Sequence, residues 1–224
     1  MEEMVIKLKN ETGDIFKKQQ NERINQYRYL NKLSIKGEIL FTGSSLMEQF
    51  PVNELLMNKG INKIVYNRAV GGFTTNDLLE HMEEMVFGVE PSKIFINIGT
   101  NDIGASNYSL DSLVKNYESI LIKIKERLPK TKVYVMAYYP INEVAKEKKD
   151  DWERETFKTR TNNNIKCANE AIEKLAKNIG YYYIDVNSGL TDEIGRLKAE
   201  YTVEGIHMYA NAYNVILDNM IKYL

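Results

Sequence analysis

Five short apolar runs, each followed by a helical pattern, constrain this chain more than any other feature. The runs are 37–43 (GEILFTG), 62–70 (NKIVYNRAV), 92–99 (SKIFINIG), 132–139 (KVYVMAYY) and 181–186 (YYYIDV). They are rich in Ile, Val, Phe and Tyr on both faces, as strands covered from both sides must be. Helical periodicity occupies 53–59, 74–87, 109–128, 152–178 and 209–223. Strand alternating with helix five times predicts an α/β fold with a parallel sheet between helical layers. Thr74 with Asp77, and Ser109 with Ser112, supply caps at two helix starts.

Residues 15–33 read as a polar helix with a sparse stripe of Phe16, Ile24, Tyr27, Leu30 and Leu33, packed across the outside. A length of 224 residues suits a single domain over 1–224, with 1–35 as an N-terminal helical extension packed on it. The charge run 143–155 reads as a solvated helix start or loop.

Charge narrows the partners. Thirty basic side chains face 31 acidic ones, a net charge of −1, which gives no handle for nucleic acid or an anionic membrane. A small molecule recognised by shape and a few polar contacts fits better. The single cysteine, Cys167, allows no intramolecular disulfide and no zinc cluster, and its neighbours Ile165, Ala168 and Ile172 suggest a packed core position. The first residues are charged, with no apolar signal region, and no stretch reaches transmembrane length. A reducing, cytoplasmic setting is the expectation. The 15 tyrosines are scattered and mark no oligomer interface.

In an open parallel sheet, ligands sit outside the carboxyl ends of the strands. The unusual polar residues fall there. The first run ends in Gly43-Ser44-Ser45, the second in Gly71-Gly72-Phe73-Thr74, the third in Gly99-Thr100-Asn101-Asp102. Glu204 precedes His207 by three residues, before the last helix. Taken singly, these are a helix cap or phosphate cradle, a tight turn, an Asx-turn and an exposed loop histidine. Taken together they supply a nucleophile, two oxyanion donors and a base, the inventory of acyl transfer. His81 reads as an exposed helix residue.

The order of these motifs resembles the GDSL, or SGNH, hydrolase family. GSSL (43–46) is similar to its nucleophile motif, NRAVGGFTT (67–75) to its glycine motif, GTND (99–102) to its asparagine motif and EGIH (204–207) to its acid–histidine motif. The resemblance implies a flavodoxin-like three-layer α/β/α sandwich with a five-stranded parallel sheet, and no metal or organic cofactor. It implies Ser45 as nucleophile and first oxyanion donor, Gly72 and Asn101 as the other donors, His207 as base, and Glu204 where the family usually has Asp. Ser44 and Phe73 also replace the family's usual Asp.

Ser44, Phe73 and Tyr139, the last from the aromatic Tyr138-Tyr139-Pro140-Ile141-Asn142 stretch, are the candidates for substrate contact. The implied reaction is hydrolysis of a short-chain, acetyl-type ester of a small or carbohydrate alcohol. Two other readings stand beside it: a thioesterase or lysophospholipase with the same residues, and a non-catalytic flavodoxin-like module binding phosphate or flavin at the Thr42–Ser45 turn.

Overall fold

The computed structural model describes residues 2–224, with side chains from Gly13 onward. The chain opens with α1 (Glu2–Leu33) and then alternates: β1 (Ile39–Gly43), α2 (Ser45–Glu48), α3 (Val52–Asn58), β2 (Val65–Asn67), α4 (Thr75–Glu80), α5 (Met82–Met85) and β3 (Lys93–Asn97). It continues with α6 (Thr100–Ile103), α7 (Leu110–Arg127), β4 (Lys132–Met136), α8 (Asp151–Thr159), α9 (Asn162–Ile179), β5 (Tyr182–Ile184) and α10 (Ala210–Met220). All four strand pairings are parallel, in the order β2-β1-β3-β4-β5. That is the flavodoxin-like order, whose switch point lies between β1 and β3.

Alternation of side chains along the strands builds two cores. Leu40, Ile94, Ile96, Val133 and Val135 face α1, α4, α5, α7 and α9. Ile39, Phe41, Phe95 and Met136 face α2, α3 and α10. The predicted α/β/α sandwich is the observed one.

Three expectations change in detail. The helical pattern over 74–87 breaks at His81, which is half-buried and stacks its ring on Phe73 at 5.6 Å. The pattern over 152–178 breaks at Arg160-Thr161, because Thr161 accepts the Asn164 N–H and caps a new helix. Cys167 lies on the exposed side of α9, not in the core; Ala168, its neighbour, takes the buried position.

The run 143–155 is a loop followed by the start of α8, with one inward-turned charge. Glu153 is buried, accepting from Lys146 Nζ at 3.0 Å and from the Asp150 N–H at 2.6 Å. On α1 the buried face is Ile24, Tyr27 and Asn31, while Leu30 and Leu33 are exposed. Asn31 donates to the Glu84 carbonyl and accepts from Arg68, so a polar residue anchors the end of the helix. Among the described residues, no helix is long and apolar enough to cross a membrane.

Candidate active site

The switch point brings the polar strand-end residues together. Ser45 begins α2 directly after β1, half-buried, and its Oγ lies 3.0 Å from His207 Nε2. Behind the imidazole, Glu204 Oε1 accepts from Nδ1 at 2.6 Å and from the His207 backbone N–H at 3.0 Å. An ionised carboxylate only accepts, so Nδ1 carries the ring proton and Nε2 presents its lone pair to the serine hydroxyl. Burial alone would raise the Glu204 carboxyl, but the hydrogen bonds and charge of His207 outweigh it and hold it below the usual glutamate value.

The turn carrying this pair is tightly held. Thr202 Oγ1 donates to the His207 carbonyl and accepts the Gly205 N–H. The Asn142 N–H donates to the Gly205 carbonyl at 2.8 Å. Gly205 has φ +109°, a backbone reserved for glycine, and an added Cβ would overlap the Asn142 carbonyl.

The expected oxyanion donors lie on the neighbouring strand ends. Neither the Ser45 N–H nor the Gly72 N–H has an acceptor among the described residues. Asn101, at the start of α6, donates one amide proton to the Phe73 carbonyl at 2.9 Å, leaving the other for a ligand. Its oxygen accepts from Arg160 Nη2 at 2.8 Å, so the amide cannot flip. Arg160 is buried, and loss of solvent lowers its guanidinium to about 10 despite the opposing pull of Glu204 and Asp102. Asp102 ties the asparagine segment to the glycine segment by accepting the Thr75 N–H at 3.0 Å and the Thr75 hydroxyl. Burial raises its carboxyl, and these bonds oppose the rise.

All three expected substrate contacts are structural instead. Ser44 is fully buried, 3.5 Å from the Thr100 hydroxyl. Phe73 is buried against His81 rather than at a pocket mouth. Tyr139 turns into the core below β4, its hydroxyl on Met47 Sδ at 3.9 Å. Alternation at the strand end points Tyr138 into one core and Tyr139 into the other.

Residues not singled out from the sequence surround the site. Trp152, 48% exposed, stands with its ring 6.4 Å from that of His207. Glu48 accepts the Gly71 N–H at 2.9 Å. A cavity of about 400 Å³ opens beside Gly71 between Glu48 and α1, lined by Gln19, Gln20, Arg23 and Gln26 among others. Arg160 was legible only through its neighbour: Thr161 followed by Asn164 is a helix-cap signal inside the supposed continuous helix.

The GDSL-like lipase/acylhydrolase family matches residues 52–215, most of the chain. The chain belongs to this family. Gly72, Asn101, Glu204 and His207 fall within the matched span, and Ser45 lies just before it. The family is described as one of lipases and acylhydrolases. A solved structure from Streptococcus pneumonia, described as a candidate platelet activating factor, is 30% identical, with 98% of each chain covered and a TM-score of 0.84. An acetylxylan esterase from Geobacillus stearothermophilus shares the fold at 17% identity, covering 84% of this chain and 94% of that one, with a TM-score of 0.62. An N-acylneuraminate cytidylyltransferase of Escherichia coli O18:K1:H7 is 25% identical over 197 residues. That match takes in 87% of this chain and only 41% of the longer relative.

Proposed function

We propose that this acylhydrolase cleaves a short acyl group, acetyl in the simplest case, from a small or carbohydrate alcohol through an acyl-enzyme on Ser45. The observation that carries the reading is the unbroken line from Ser45 Oγ to His207 Nε2 at 3.0 Å and from Nδ1 to Glu204 at 2.6 Å. His207 takes the Ser45 proton as Oγ bonds to the ester carbonyl carbon. The carbonyl oxygen becomes an oxyanion, which the Ser45 and Gly72 N–H groups and the free Asn101 amide proton stabilise. His207 then protonates the departing alcohol, and the C–O bond to it breaks. Water attacks the acyl-serine with His207 again as base, releasing the acid and restoring Ser45. The cycle invokes no metal or cofactor.

The surroundings favour a polar alcohol. The exposed face of Trp152 adds an apolar platform of the kind a sugar ring stacks on. The acetylxylan esterase likeness supports the same class. A single cysteine fits a reducing, cytoplasmic setting.

The test is a rate profile across acetyl, butyryl and octanoyl 4-nitrophenyl esters, acyl-CoA and acetylated sugars. Acetyl esters are expected to turn over fastest, with acetylated sugars exceeding simple alkyl acetates in kcat/KM. A preference for octanoyl or thioester substrates contradicts the reading and points to a thioesterase or lysophospholipase.

A further inference from the structure

Nothing in the covalent chain makes the Gly72 N–H point into an oxyanion hole. Glycines flank the Gly71–Gly72 peptide on both sides, so its plane can rotate at little steric cost. Its direction is fixed from outside. Gln20 of α1 donates from Nε2 to the Gly71 carbonyl oxygen at 2.7 Å. No peptide bond in the described chain is cis, and in a trans unit the N–H and C=O point in opposite directions. A carbonyl held toward α1 therefore sends the Gly72 N–H away from the helix, where it has no protein acceptor.

Three more contacts seat the same helix on the same loop. Tyr27 donates from its hydroxyl to the Ala69 carbonyl at 2.7 Å. Arg23 pairs with Glu48, whose other oxygen accepts the Gly71 N–H at 2.9 Å. The Phe16 ring lies so close to Gly72, at φ +79°, that an added Cβ would sit 2.6 Å from its Cε1. Phe16, Gln20, Arg23 and Tyr27 recur at spacings of four, three and four, one face of a helix.

We propose that Gln20 is a positioning residue of the oxyanion hole, and that α1 is a working part of the active site. By holding the Gly71 carbonyl, Gln20 keeps the Gly72 N–H turned toward the ester. Released, the plane can present its carbonyl to the hole, where an oxygen dipole repels the developing charge. The inference rests on the Ser45 ester-hydrolase reading.

The test compares Gln20→Leu and Gln20→Lys with the parent chain, using kcat and KM on 4-nitrophenyl acetate and thermal melting. Leucine keeps the bulk and helix propensity but removes the donor, and lysine restores one. In Gln20→Leu, kcat is expected to fall roughly tenfold to a hundredfold, less than loss of a whole donor, with KM and melting temperature little changed. Gln20→Lys is expected to recover part of the loss. The Gly72 amide proton of the protein inactivated by a methylphosphonate gives a second reading: its downfield NMR shift is expected in the parent and reduced in Gln20→Leu. An unchanged kcat and Gly72 shift in Gln20→Leu overturns the inference, as does a fall in kcat matched by lost melting temperature and not recovered by lysine. Ser45→Ala, run alongside, separates the two levels: an inactive Ser45→Ala with a fully active Gln20→Leu sinks only the role of Gln20, whereas an active Ser45→Ala sinks the reading beneath it.

Discussion

Glu204 Oε1 accepts two hydrogen bonds from one residue, the ring Nδ1–H of His207 at 2.6 Å and its backbone N–H at 3.0 Å. The glutamate is one methylene longer than the aspartate usual in the family, and it reaches the imidazole across the turn through Gly205. The carboxylate thereby fixes both the tautomer and the orientation of the imidazole that the proposed cycle uses as base. Replacing Glu204 by Gln keeps the shape and removes the obligatory acceptor. In Glu204→Gln, kcat for 4-nitrophenyl acetate is expected to fall roughly a hundredfold to ten-thousandfold. An unchanged kcat would mean that Ser45 and His207 work as a dyad.

The same contact links stability to pH. The Glu204 carboxyl is held below its usual value of about 4.5 in the folded chain. Its contribution is therefore fully present above that value and is lost as pH falls through the folded one. Melting curves of the parent and Glu204→Gln are expected to differ most near pH 7 and to converge on acidification. A gap that stays constant down to pH 3 would contradict this.

On the other side of the proposed oxyanion hole, Arg160 Nη2 donates to the amide oxygen of Asn101 at 2.8 Å. Arg160→Met is expected to lower kcat roughly tenfold or more in the parent but to add little in an Asn101→Ala background, because the two act as a unit. Asn101→Ala alone is expected to cost about a hundredfold to a thousandfold. Additive losses in the double variant would show that Arg160 does not work through Asn101.

Gly205 tests the geometry of the acid–base turn. A side chain there must hold φ +109°, at roughly 1–3 kcal/mol, and displace the Asn142 carbonyl as well. Gly205→Ala is expected to lower the melting temperature by several degrees and to reduce activity even where the chain remains folded. A variant with parental melting and rate would contradict the contacts described for this turn.

The sheet and the strand-end residues were legible because both rest on local pattern. β1 and β3 are apolar on both faces, so their neighbours on either side were implied before any contact was known. Ser45, Gly72, Asn101 and His207 stand out because each interrupts such a pattern at a strand or helix end. Substrate contacts were not legible: Tyr139 and Phe73 differ from pocket residues only in the direction their side chains take, which three-dimensional packing decides. Arg160 was hidden inside an apparently continuous helical pattern. Gln20 lies 51 residues from the carbonyl it holds, and no spacing rule connects them.

The most direct measurement is the site of covalent labelling by a fluorophosphonate, which captures an activated serine. Incubation followed by peptide mass spectrometry is expected to place one phosphonyl group on Ser45, with labelling abolished in Ser45→Ala and slowed in Glu204→Gln. Failure to label, or an adduct on another residue in the active enzyme, would contradict Ser45 as the nucleophile.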